Sequence, residues 1–168
     1  MAKSSDLTAL ILAFPDGDEY DILPFFWIPE DGMRERMRTD GVPYDRWDAD
    51  GLVFVTSGDV IDYQFVRRDI NALGDEFQIE EVMYDDYNIG GLDQELMGDG
   101  FEMVPCRSTF GNLSAPSQEI ERLLKAHAFR HGGHPVLRWN ISNATVLQNA
   151  DGDIRPVRSQ ETGKIDGV

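Results

Sequence analysis

A chain of 168 residues and 19.0 kDa fits one domain and leaves little room for two. Hydrophobic residues make up 41% and charged residues 27%, enough apolar material for a core and too much for disorder over most of the length. With 31 acidic residues against 15 basic ones the formal net charge is −16, which argues against coating nucleic acid or an anionic membrane through bulk charge. It leaves open an enzyme that meets DNA through bound cations, because carboxylates are the ligands hard cations prefer. The single cysteine, Cys106, excludes an internal disulfide and a Cys-rich zinc site. No apolar run approaches the roughly 20 residues of a membrane span. The opening Met-Ala-Lys-Ser-Ser-Asp lacks the apolar core of a signal peptide, so the expected compartment is the cytoplasm.

The unbroken apolar run over residues 7–14 predicts a strand buried on both faces and central in its sheet. Asp16-Gly17 is hairpin chemistry, and residues 20–27 supply the partner strand. A short arginine-rich helix is predicted over 33–39 and a loop over 40–51, with an extended segment at 52–56. Asp62 is a plausible N-cap for a helix over 63–73, with Val66, Ile70 and Leu73 on one face and Gly74 at its end. A strand follows over 77–84, a brief helix carrying Leu92, Leu96 and Met97, and a strand over 101–104. Residues 112–116 read as a loop leading into the clearest helix, 117–129, with Ile120, Leu123 and Leu124 at helical spacing. The run from His131 to Pro135 breaks it, and strands at 141–148 and 154–157 flank an Asp-Gly turn. This order predicts an α/β fold, a mixed sheet flanked by helices on both faces.

Three carboxylates stand where chemistry would want them: Asp6 at the mouth of the first strand, Asp85 after the strand 77–84, and Asp166 near the end of the chain. Convergent carboxylates repel one another unless cations neutralise them, so such a set points to Mg²⁺ or Mn²⁺. Two ions roughly 4 Å apart activate a water and stabilise the leaving oxygen in phosphodiester hydrolysis. On spacing alone the plainer reading, solvated carboxylates at turns, is favoured, since 31 acidic residues put some at strand ends by chance.

Longer motifs shift that balance. The run Ser4-Ser5-Asp6-Leu7-Thr8-Ala9-Leu10 resembles the first strand of the nuclease domain of tailed-bacteriophage large terminase subunits, typically Asp-Leu-Ala-Ser-Thr-Ser-Asp-Leu-Thr-Ala. The run from Tyr84-Asp85 to Asn88 is similar to that family's Tyr-Asp-x-Trp-Asn, and Ser114-Ala115-Pro116 through Arg122 to its Ser-x-Pro-x-x-Glu-Leu-Glu-Arg helix. His131-Gly132-Gly133-His134-Pro135-Val136-Leu137-Arg138-Trp139 resembles His-Gly-Gly-Asn-Pro-Val-Leu-Arg-Trp, and Ser142-Asn143 and Lys164-Ile165-Asp166-Gly167 complete the series. These motifs keep the family's order and cover nearly the whole chain.

The resemblance implies a ribonuclease-H-like fold and a two-metal endonuclease that cuts concatemeric phage DNA during genome packaging. Asp85 would be the second-strand ligand, Asp166 the ligand that opens the last helix, and Asp6 an accessory ligand. It implies Mg²⁺ or Mn²⁺ as cofactor, with double-stranded DNA, the ATPase domain, the small terminase subunit and the portal as partners. The family's leading first-strand aspartate would fall upstream of Met1, and no Gly-x-x-x-x-Gly-Lys-Ser/Thr loop of an ATPase appears. Residues 1–168 are therefore expected to be a nuclease domain truncated at both ends, and a catalytically silent remnant that keeps the fold is the competing reading. A resolvase or transposase of the same fold is a third, opposed by the His-Gly-Gly-His-Pro run.

Other residues carry weaker signals. Arg138 is divided between a DNA phosphate contact and a salt bridge to the acidic pocket. His131 and His134 bracket a Gly-Gly turn; a structural role is favoured over a metal ligand or proton shuttle, and His134 with Arg138 makes the candidate substrate-binding pair. Trp139 is assigned to the core and His127 to packing. Arg34, Arg36 and Arg38 alternate on a short helix, which spreads them over a solvated face. Asp86 is an alternative to Asp85, although strand alternation lets only one face a pocket.

Overall fold

The computed structural model describes residues 7–85, 89–160 and 163–168. Strand β1 (Thr8–Asp16) turns at Gly17, whose φ of 62° suits a residue without Cβ, and returns antiparallel as β2 (Glu19–Pro29). Helices α1 (Met33–Asp40) and α2 (Tyr44–Ala49) lead to β3 (Phe54–Thr56), which pairs parallel with the end of β2. Helix α3 (Tyr63–Glu76) opens on Asp62, whose carboxylate accepts the Gln64 N–H at 2.9 Å. Strand β4 (Val82–Tyr84), helix α4 (Leu92–Asp99) and strand β5 (Met103–Pro105) form a parallel unit. Helix α5 (Phe110–Lys125), strand β6 (Phe129–Arg130), helix α6 (Pro135–Asn143) and the antiparallel pair β7 (Ala144–Gln148) and β8 (Ile154–Arg158) complete the order.

The alternation of β2 decides the layering. Ile22, Phe26 and Ile28 point to one face and pack with Leu7, Tyr44 and Trp47 of α2, and Val136 and Leu137 of α6. Trp27 points to the other face and packs with Val66 and Ile70 of α3, Leu92 and Leu96 of α4, and Met103. Phe26 and Trp27 are both fully buried, and the Trp27 indole donates to Asp69 at 2.9 Å. Helices thus cover both faces of a mixed sheet, as the element order predicts.

Several expectations are corrected. Among the described pairings β2 has the most partners, β1, β3 and β6, so β2 rather than β1 is the central strand. Residues 40–51 contain α2, because Tyr44 and Trp47 bury against Trp139. Gly74 lies inside α3, which runs on to Glu76. Its Cβ position faces the Phe101 ring at 2.8 Å, so the glycine serves close packing instead of termination. The strand predicted over 77–84 is reduced to Val82–Tyr84, and the one at 101–104 shifts to Met103–Pro105.

Residues 112–116 are helical: α5 starts at Thr109, whose hydroxyl accepts the Asn112 N–H at 3.3 Å, and carries Pro116 inside. The same helix stops at Lys125, not 129, because His127 adopts a left-handed φ of 57° and Ala128 N–H turns back to Leu123 C=O at 2.8 Å. His127 is exposed, so it caps and does not pack. Residues 141–143 belong to α6, and the following strand begins at Ala144. Arg36 departs from a solvated face: its guanidinium donates to the Pro29 carbonyl and its Nε is buried.

Candidate active site

Asp166 sits in a turn that Val168 N–H closes on Ile165 C=O at 3.0 Å. The segment 163–168 lies along α6. Asn143 Nδ2 donates to Lys164 C=O at 3.1 Å, and Gly167 N–H donates to Asn140 Oδ1 at 3.1 Å. Gly167 has no room for a side chain, since a Cβ there would stand 2.8 Å from the Phe26 ring. The turn is therefore pressed onto the face that holds Leu7, the residue after Asp6, and Leu137.

The Asp166 carboxylate has one oxygen, Oδ2, buried. Its charge reaches Tyr44, a fully buried phenol whose hydroxyl donates to Asp40 at 2.8 Å. Burial pushes the Tyr44 pKa far up. The hydrogen bond and charge of Asp40 and the charge of Asp166 add to this, while Arg36 opposes it. Tyr44 thus stays a neutral phenol whose proton is held by Asp40. Burial lowers the Arg36 pKa, with Tyr44, Asp40 and Asp31 acting in the opposite direction.

Asp85 follows β4 and is exposed; Ser108 Oγ donates to its Oδ2 at 3.1 Å. The end of β4 is pinned by Cys106 N–H to Tyr84 C=O at 2.7 Å, which fixes where the chain leaves the strand. Val82 and Tyr84 pack on the Trp27 face, so Asp85 and Asp166 are carried by opposite layers. Asp6, and Asp86 as the alternative to Asp85, lie outside the described residues. Among the described residues no group of three or more His, Cys, Asp and Glu side chains is placed to share a cation. The predicted donor set is nevertheless chemically suited to a hard divalent ion, since every member offers carboxylate oxygen.

His134 is the N-cap of α6: its Nδ1 accepts the Leu137 N–H at 3.4 Å, ahead of Pro135 at the first helical position. Its ring tilts against Phe26 at 5.7 Å, and burial, then the charge of His131, lowers its pKa. Arg138 lies one turn further on and is exposed, and among the described residues it has no ion-pair partner; the alternative of a salt bridge to the acidic pocket is not realised there. Trp139 is partly buried against Tyr44 and Trp47, as a core residue should be.

Sequence reasoning missed Asn140, Asn143, Tyr44 and Asp40. The readable signal was the spacing of Asn140 and Asn143, which puts both amides on one face of a helix otherwise rich in apolar residues.

A mixed sheet covered by helices on both faces is the arrangement of a ribonuclease-H-like fold. The chain belongs to the family described as terminase large subunit, endonuclease domain, which matches residues 1–168. It is 34% identical over 171 residues to the large terminase subunit of Enterobacteria phage HK97, covering 100% of this chain and 34% of that protein. It is 27% identical over 155 residues to Protein YmfN of Escherichia coli K12, covering 89% of this chain and 34% of that protein. The crystal structure of the HK97 bacteriophage large terminase superposes with a TM-score of 0.89 at 34% identity, over 99% of this chain and 35% of the other. The chain therefore spans about a third of the length of these relatives.

Proposed function

We propose that residues 1–168 form one nuclease unit that hydrolyses double-stranded DNA with divalent cations held by Asp6, Asp85 and Asp166, as part of phage genome packaging. The observation that carries this reading is the family match over the whole chain; Asp85 and Asp166 lie in the runs whose sequence resembles that family's motifs. Bound by these carboxylates, Mg²⁺ or Mn²⁺ would supply charge to activate a water and to neutralise the oxygen that leaves phosphorus.

The chain's own groups do the positioning. Ser108 holds one oxygen of Asp85. The turn on α6 holds Asp166. Arg138, exposed on the same helix as His134, suits a phosphate oxygen through its forked guanidinium. Because His134 Nδ1 accepts the helix N–H, its neutral ring carries the proton on Nε2, which can donate to the same phosphate backbone. The ATPase portion, small subunit and portal of a terminase are the assembly partners this reading implies. They would supply most of the DNA affinity that a charge of −16 withholds.

The test is nicking of supercoiled plasmid by the purified chain in Mn²⁺, with Asp85→Ala and Asp166→Ala beside it. The expected result is cleavage by the wild type, quenched by EDTA and reduced at least about a hundredfold in each variant. Cleavage unchanged in both variants would refute the site. A folded wild type that cuts nothing would favour the silent remnant.

A further inference from the structure

The polar chemistry of α6 is not explained by folding alone. Asn140 is fully buried, yet it is an amide in an apolar cluster of Phe26, Val136 and Leu137. A buried amide costs stability unless both its ends are satisfied. Here both are: Nδ2 donates to the Val136 carbonyl at 3.0 Å, and Oδ1 accepts Gly167 N–H at 3.1 Å. The first bond fixes the rotamer and the amide's orientation, and the second hands that fixed acceptor to the residue after Asp166.

About one turn along the same helix, Asn143 Nδ2 donates to Lys164 C=O at 3.1 Å, and a Cβ at Gly163 would stand 3.2 Å from the Asn143 Cβ. The turn is thus held on both sides of Asp166, and Gly167 lies against Phe26 so closely that the backbone cannot slide inward.

We infer that Asn140, supported by Asn143, is a positioning residue for Asp166: α6 sets the carboxylate's place through Gly167 N–H and Lys164 C=O. The inference rests on the proposed role of Asp166 as a cation ligand. Ligand carboxylates must be held to within about half an ångström for productive geometry, and a terminal turn has little stiffness of its own. Groups that orient a ligand typically change metal affinity about 10- to 100-fold when removed.

The experiment measures Mn²⁺ affinity by the loss of the free-ion EPR signal, for the wild type, Asp166→Asn, Asn140→Ala and Asn143→Ala. Circular dichroism checks the fold, and hydrogen exchange follows the Gly167 amide. The expected result is a Kd raised about 10- to 100-fold in folded Asn140→Ala and a few-fold in Asn143→Ala, with faster Gly167 exchange in the first. If Asn140→Ala does not fold, Asn143→Ala decides. Unchanged Mn²⁺ affinity in the folded asparagine variants overturns the inference, provided Asp166→Asn loses the ion. If the wild type binds no Mn²⁺, or Asp166→Asn binds it equally well, the cation role of Asp166 falls and the positioning role falls with it.

Discussion

At the scale of single residues, His134 shows how one side chain can cap a helix and make it sensitive to pH. As N-cap its Nδ1 must stay unprotonated to accept the Leu137 N–H. The fold lowers its pKa, through burial first and His131 second. The unfolded chain therefore binds a proton at about pH 6.5 that the folded chain takes up only at lower pH. Stability is full above that value and falls as pH drops below it toward the depressed folded pKa. His134→Asn keeps a side-chain acceptor at the cap and cannot titrate. Urea unfolding should show the wild type losing stability from pH 7 to 5 more steeply than this variant. His134→Ala should lose about 1 kcal/mol at pH 7. The sequence shows His134 as a histidine beside a proline, but Nδ1 acceptance depends on the α6 backbone that only the fold reveals. Asn140 was hidden for the same reason: its partner Gly167 is distant in sequence, and no local pattern marks the pair.

At the scale of elements, α5 carries its own defect. Pro116 has no N–H for the Asn112 carbonyl, and it is exposed, so no packing requires the ring. Pro116→Ala should raise unfolding stability by about 1 to 3 kcal/mol in denaturant titration. A neutral or negative change would mean that the ring's limit on the unfolded chain outweighs the missing bond. This proline also explains why residues 112–116 look like a loop in sequence. The start signal is Thr109, and the tie that holds the first turns is Ser114 Oγ accepting Ile154 N–H at 3.2 Å, a long-range contact.

The α3–α4 pair shows the opposite case, since local signals, the Asp62 cap and apolar spacing in α3 and the apolar residues of α4, located both helices. Their junction is a fork in which Arg67 donates to both oxygens of Asp99 at 2.6 Å and Asn71 adds a third bond at 2.8 Å. The Arg67 hydrogen bond, then Asn71, holds the Asp99 pKa down to about 2. Its contribution to stability is thus present above about pH 4 and is lost as pH falls toward 2. Asp99→Asn should lower Tm at pH 7 and lose less on acidification from pH 4 to 2. Equal acid sensitivity in variant and wild type would remove the fork from this account.

At the scale of the whole molecule, the layering was legible and the gathering of the site was not. The order of strands and helices announces a sheet with helices on both faces, and the two faces of β2 carry the two cores. Which carboxylates approach one another depends on how 163–168 docks on α6 and how β4 leaves its layer, and hydrophobic pattern does not encode either. Motif order carried the site assignment instead, and the match over residues 1–168 shows the family. With a charge of −16, any nucleic acid contact would fall to local groups. In the proposed function Arg138 would be one such group, and cations on the carboxylates the others.

The most direct measurement is a crystal of this chain soaked in Mn²⁺, with anomalous scattering used to locate the ions. The account predicts Mn²⁺ within about 2.0–2.4 Å of carboxylate oxygens of Asp85 and Asp166, with Asp6 on the same ion or its neighbour. Ions bound elsewhere on the acidic surface, with Asp85 and Asp166 both bare, would contradict it.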